Sequence, residues 1–260
     1  MILHFTRNTG IQLFKHSRSS TAVRTRTDTM ESKPLLQVAL DCLDRDEALW
    51  RAETVKDFAE ILEIGAALLK KEGVRIIDTL KQTYPDKLIF ADTKTVDLGR
   101  FEAQIVFEVG ADIMSVCGVA SDETIENAIH EAHSHEKKVL VDLIGLGNSY
   151  RQIKRLSFLR PDYLAVHTGI DERKTNNDLF EKVEIIAQIS PIPLAISGGI
   201  LLDDVSYLLV FHPAIIVVGS AIFSTDNPRK TTERFWNSIN TLSFLPESER
   251  NYEPDDDSEG

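Results

Sequence analysis

From residue 36 onward, short apolar runs alternate with longer stretches in which apolar side chains return every three or four positions. The runs are residues 36–41, 61–64, 88–92, 113–117, 139–143, 163–167, 194–197 and 215–218. Residues 72–84, 100–109, 124–135 and 178–189 have helical spacing, and each is bounded by Gly, Pro, Asp or Ser. Eight strand–helix units spaced by about 25 residues predict an α/β chain folded as a (β/α)8 TIM barrel. A doubly wound sheet is the alternative, but it would carry a Gly-rich loop after its first strand. The chain has Asp41-Cys42-Leu43-Asp44 there.

At 260 residues the chain accommodates one such barrel, assigned to residues 34–245. Residues 1–33 form an extension. Its first 27 residues carry Arg7, Lys15, Arg18, Arg24 and Arg26, many Ser and Thr and no acid, and so read as disordered or as an organelle-targeting segment. Residues 246–260 form an acidic, disordered tail, with seven acids against Arg250. That tail carries about half of the net charge of −12, and the sign argues against nucleic-acid and anionic-membrane partners. Cys42 and Cys117 are the two cysteines, too few for a disulfide framework, which fits a reducing, cytoplasmic setting. No apolar stretch reaches the roughly 18 residues of a membrane span.

The candidate chemistry lies where the apolar runs end, the position of active sites in these barrels. Asp41, Glu63, Asp92 with Lys94, Asp142 and His167 stand at five of the run ends. Each has an ordinary explanation alone: Asp41, Asp97 or Asp142 as a helix cap, Glu63 in an ion pair, His167 as a satisfied core histidine. Five polar ends converging on one mouth are harder to explain that way. Strand alternation places Asp92 and Lys94 on one face, so the two charges can meet, and with Asp97 they form a cluster suited to proton transfer. Gly198-Gly199 and Gly219-Ser220 follow the seventh and eighth runs. Glycine loops there can bring backbone N–H groups close to a phosphate, which points to a phosphorylated small molecule as substrate.

The ordered series Leu36-Gln37-Val38-Ala39-Leu40-Asp41, Leu62-Glu63-Ile64-Gly65, Lys71-Glu72-Gly73-Val74-Arg75, Ala91-Asp92-Thr93-Lys94-Thr95-Val96-Asp97, Val141-Asp142-Leu143, Val166-His167-Thr168-Gly169, Ser197-Gly198-Gly199 and Val218-Gly219 resembles the orotidine monophosphate decarboxylase superfamily. Within it, the match is to the metal-dependent branch of 3-hexulose-6-phosphate synthase and 3-keto-L-gulonate-6-phosphate decarboxylase. The resemblance implies a homodimer with shared active sites, in which Glu63 and Asp92 hold Mg²⁺ or another divalent cation and Asp97 reaches into the partner subunit's site. It also implies a phosphorylated pentulose or hexulose as substrate and a metal-stabilised enediolate, with Lys94 near the developing oxyanion. His167 is then the proton carrier, and Asp41 and Asp142 orient hydroxyls or relay protons.

Departures from the pattern select within the branch. The decarboxylase is expected to carry an Arg shortly after the sixth-strand His, another directly after the eighth-strand Gly, and Glu at the fifth strand. This chain has His167-Thr168-Gly169-Ile170-Asp171, Gly219-Ser220-Ala221 and Asp142, which look like the synthase. The implied reaction is reversible aldol addition of formaldehyde to D-ribulose 5-phosphate. The sugar-phosphate decarboxylase is the alternative, and Gly145-Leu146-Gly147-Asn148 and Ser220 are not assigned to either pattern, which leaves a different pentulose or aldehyde open. Glu63 speaks against the metal-free nucleotide decarboxylase, which uses Lys there, and the single suitably placed histidine speaks against ribulose-phosphate 3-epimerase. A catalytically silent sugar-phosphate-binding barrel is the non-enzyme alternative.

Overall fold

The computed structural model describes residues 33–146, 150–171 and 177–242. The predicted acidic tail, the extension up to residue 32, and Gly147 and Asn148 lie outside the described residues. Eight strands, β1 (Leu35–Ala39), β2 (Ile61–Ile64), β3 (Leu88–Thr95), β4 (Ile113–Cys117), β5 (Lys138–Asp142), β6 (Tyr163–His167), β7 (Leu194–Ser197) and β8 (Ile215–Val218), pair in parallel and in sequence order. β8 returns to β1 and closes the barrel. The connecting helices are α1 (Arg45–Val55), α2 (Ala66–Glu72), α3 (Arg75–Thr83), α4 (Gly99–Glu108), α5 (Asp122–Ser134), α6 (Tyr150–Leu159), α7 (Asn177–Ile189), α8 (Val205–Leu209), α9 (Ser220–Phe223) and α10 (Pro228–Leu242).

Alternation along the strands separates two apolar layers. Ala39, Ile61, Phe90, Ile113, Leu140, Tyr163, Ala165, Ala195, Ile215 and Val217 fill the barrel interior. Leu36, Val38, Leu62, Ile64, Ile89, Val116, Val141, Val166, Ile196 and Val218 face outward into the surrounding helices. Both faces of every strand are therefore buried, which is why the strands read as continuous apolar runs.

Register is pinned by a repeated device. The acid immediately preceding each of β2, β4 and β6 accepts a backbone N–H from the strand before it. Glu60 Oε2 takes Leu36 N, Asp112 Oδ2 takes Ile89 N and Asp162 Oδ2 takes Val139 N, each at 2.9 Å. Asp112 is further held by Lys81 at 2.8 Å and Lys137 at 2.7 Å. At the closing seam, Lys33 Nζ donates to Asn240 Oδ1 at 2.8 Å and pairs with Glu60 at 3.5 Å, and the ring of Trp236 lies 5.3 Å from it. The first strand and last helix are thereby joined.

Four expectations are corrected. The first strand ends at Ala39, so Asp41 stands in the loop two residues beyond it, and α1 is capped by Asp44, whose carboxylate accepts Glu47 N at 2.9 Å. The helix expected over 72–84 begins only at Arg75 as α3, because Gly73, at φ +70°, ends α2, to which Glu72 belongs. The third strand continues past residue 92 to Thr95, with a register shift between Ala91 and Thr95. Asp97 does not cap the following helix: Leu98, at φ +55°, occupies that position, and Asp97 Oδ1 accepts Leu98 N at 2.7 Å.

Candidate active site

The interior parity of each strand carries upward to the C-terminal mouth, two residues past its last apolar side chain. Ile61 leads to Glu63, Phe90 to Asp92, Ile113 to Ser115 and Cys117, Leu140 to Asp142, and Ala165 to His167. The acids and the histidine thus reach the same end of the barrel because of position alone.

Lys94 joins them differently. After Ala91 the ladder to β4 loses its regular register, and Lys94 adopts φ +47°, a bulge-like distortion that re-aims a side chain. Its backbone N–H is taken by Ser115 Oγ at 2.9 Å. Its ammonium lies 2.9 and 3.1 Å from the two oxygens of Asp92 and 3.1 Å from Asp142 Oδ2. Asp92 is buried and also accepts the Ser115 hydroxyl at 2.7 Å. Asp142, buried as well, accepts Ile144 N at 2.9 Å on Oδ1 and lies 2.9 Å from His167 Nδ1 through Oδ2.

Electrostatics assigns the protonation states. Burial acts to raise the Asp142 pKa, but the His167 hydrogen bond and the charges of His167 and Lys94 outweigh it, and the net direction is down. An ionised Asp142 takes its hydrogen bond from His167 Nδ1–H, which leaves Nε2 as the ring nitrogen with no partner among the described residues. Burial works against charge on Lys94, yet Asp92 and Asp142 together raise its pKa, so it is a fixed cation. Glu63 is pushed up to about 8 by burial first, then by repulsion from Asp92, with the Gln37 hydrogen bond opposing at 2.8 Å. Asp41 is exposed as a residue, but its carboxyl is packed against backbone, and burial followed by repulsion from Asp92 raises its pKa.

That surplus of carboxylate over cation bears on the metal. Among the described residues, no group of three His, Cys, Asp or Glu side chains is arranged to hold one. Two hard carboxylates fit a Mg²⁺ ion that takes its other ligands from substrate and water. Asp41, Glu63, Asp92 and Asp142 face one lysine, and repulsion from Asp92 and Asp41 adds to burial in raising the Glu63 pKa, a repulsion that a divalent cation relieves. The donor chemistry therefore suits Mg²⁺.

The remaining predicted positions are less tightly drawn together. Asp97 is exposed and makes none of the cluster's contacts. Gly198, at φ +123°, is required where it stands, because a Cβ there would meet Thr168 O at 2.7 Å and Thr168 N at 2.9 Å. Gly199 has φ +77°. A Cβ on Gly219 would meet Asp41 Oδ2 at 3.1 Å, and one on Gly65 would meet Asp41 Oδ1 at 2.7 Å. Packing thus accounts for Gly198 and Gly219, and a phosphate role for these loops and Ser220 rests on their place after β7 and β8. Two site residues escaped the sequence reading: Gln37 and Ser115. Their signal was a polar side chain at interior parity within an apolar strand, readable only once the register is known.

A closed barrel with paired carboxylates, a clamped lysine and a carboxylate-oriented histidine at its C-terminal mouth is a scaffold equipped for proton transfer and oxyanion stabilisation. The chain belongs to the Orotidine 5'-phosphate decarboxylase / HUMPS family, whose profile matches residues 34–235. It is 33% identical over 193 residues to 3-hexulose-6-phosphate synthase of Mycobacterium gastri, covering 74% of this chain and 93% of that protein. The crystal structure of 3-hexulose-6-phosphate synthase from Salmonella typhimurium aligns with a TM-score of 0.74 at 33% identity, covering 80% of this chain and 99% of that one. A 3-keto-L-gulonate-6-phosphate decarboxylase from Vibrio cholerae shares the fold, with a TM-score of 0.72 at 24% identity over 81% of this chain and 99% of that one.

Proposed function

We propose that this protein is a 3-hexulose-6-phosphate synthase-type aldolase, a carbon–carbon lyase joining formaldehyde to D-ribulose 5-phosphate. The observation that carries the reading is the Lys94–Asp142–His167 chain, which sets a fixed cation and a carboxylate-oriented imidazole side by side. His167 Nε2 takes a proton from C1 of the ketose. The negative charge that develops on the C2 oxygen is stabilised by the Lys94 ammonium. Glu63 and Asp92 would hold Mg²⁺, which when bound supplies Lewis-acid stabilisation of that same oxygen. The enediolate carbon C1 attacks formaldehyde, and the proton held by His167 passes to the new alkoxide, giving D-arabino-3-hexulose 6-phosphate. Asp142 keeps the imidazole oriented throughout, Asp41 orients substrate hydroxyls, and Gly198, Gly199, Gly219 and Ser220 take the phosphate through backbone N–H groups.

A homodimer with shared sites is part of this reading. Val96, Leu98, Phe101, Ile105 and Val119 form an exposed apolar face beside Asp97, with Phe101 63% and Leu98 59% exposed. Leu98, Phe101 and Ile105 fall on one side of α4. Such a face beside an acid that takes no part in its own cluster is what a subunit interface delivering Asp97 to the partner would need.

Purified protein given ribulose 5-phosphate and formaldehyde with Mg²⁺ should consume both. Chelation with EDTA should abolish consumption, and added Mg²⁺ should restore it. Supplied separately with 3-keto-L-gulonate 6-phosphate, the protein should leave it intact. Consumption of that sugar instead would move the assignment to the decarboxylase, and ligand binding without turnover of either would make the barrel catalytically silent.

A further inference from the structure

Gln37 occupies the barrel interior two residues deeper in register than Glu63, in a layer whose neighbours are Ile61 and Val217. It is 1% exposed, and its Oε1 accepts no hydrogen bond among the described residues. An aliphatic side chain there would fill the space without burying an unpaired carbonyl. What the amide provides is one bond, from Nε2 to Glu63 Oε2. On the other side of the site, Ser115 is fully buried, and its hydroxyl donates to Asp92 Oδ1 while accepting the backbone N–H of Lys94. Each acid is therefore gripped by a buried polar side chain from a neighbouring strand, β1 for β2 and β4 for β3.

Both gripping groups are uncharged. A Lys or Arg in either place would also orient the carboxylate, but it would neutralise charge that a divalent cation needs. A neutral donor fixes direction without adding to the one cation already present, Lys94, which pairs with Asp92. Glu63 Oε1, with no partner among the described residues, is the oxygen this arrangement leaves free.

We propose that Gln37 and Ser115 are positioning residues that hold Glu63 and Asp92 in the orientation required to share a divalent cation. The inference rests on the reading of those two acids as cation ligands. It is tested by Mn²⁺ binding without substrate, using the electron paramagnetic resonance signal of free Mn²⁺, on Gln37→Met, Ser115→Ala, Ser115→Thr, Glu63→Gln and Asp92→Asn. Metal-free thermal melts of each variant are recorded alongside. Gln37→Met and Ser115→Ala should each weaken binding by roughly 10–100-fold, and Ser115→Thr, which keeps the hydroxyl, should stay close to the parent protein. Parent-like Mn²⁺ affinity in Gln37→Met and Ser115→Ala, with binding lost in Glu63→Gln and Asp92→Asn, overturns the positioning role and leaves the ligand reading standing. Parent-like affinity in Glu63→Gln and Asp92→Asn overturns both. Should Gln37→Met fail to fold, the contrast between Ser115→Ala and Ser115→Thr decides the matter, and equal affinity in those two variants counts against the proposal.

Discussion

Lys94 sits in a left-handed backbone conformation that costs a non-glycine residue about 1 kcal/mol, and Ser115 and two carboxylates hold it there. Because Asp92 and Asp142 overcome the effect of burial and raise its pKa, it remains an ammonium across the working range, which leaves the proposed role of base to His167. Lys94→Ala should lower kcat by about 100- to 1,000-fold while circular dichroism shows the fold unchanged. A near-normal rate would make the cluster structural. Glu63 gives the pH dependence. Its folded pKa of about 8 lies above the ordinary 4.5, so the folded protein binds the extra proton between those values. Metal-free stability should therefore decline as pH rises from about 4.5 to about 8, and Glu63→Gln should flatten that slope. Thermal melts across this range, a flat parent profile being the contrary result, check the sign. Asp92, Lys94, Asp142 and His167 were legible in the sequence because each ends an apolar run with charge or imidazole. Gln37 and Ser115 were not, since a lone polar residue inside a run acquires meaning only from the parity of its neighbours in a known register.

At the scale of elements, the strands were legible because burial on both faces makes each an unbroken apolar run. Their ends were less so. Leu40 is fully buried and its N–H reaches Glu63 O at 3.0 Å, so composition alone carries the first run past Ala39. Helical spacing likewise runs through Gly73, whose positive φ separates α2 from α3. The acids preceding β2, β4 and β6 look like loop residues in the sequence, yet each ties its strand to the one before it. Asp112→Ala removes the acceptor of Ile89 N and leaves Lys81 and Lys137 without their carboxylate. It should destabilise the barrel by about 2–4 kcal/mol in urea unfolding. A loss below about 0.5 kcal/mol would show that the pin is dispensable.

At the scale of the molecule, the apolar face around Phe101 and the isolated Asp97 belong to one expectation. Phe101→Asp places a charge in the centre of that face, so it should yield monomers in analytical ultracentrifugation and lower activity together. Monomeric parent protein with full activity would contradict the shared site. Mixing Asp97→Ala subunits with Lys94→Ala subunits should restore part of the turnover, because a mixed dimer then contains one intact site. Absence of rescue in verified mixed dimers would place Asp97 outside the reaction.

The reaction proposed for the mouth of this barrel forms a carbon–carbon bond at C1 of a ketose phosphate. Carbon-13 NMR with labelled formaldehyde and ribulose 5-phosphate tests it most directly. Label should enter C1 of a 3-hexulose 6-phosphate when Mg²⁺ is present, and the signal should be absent after chelation. Label remaining in formaldehyde with metal-loaded, folded protein, or entering the sugar equally well after chelation, would contradict it.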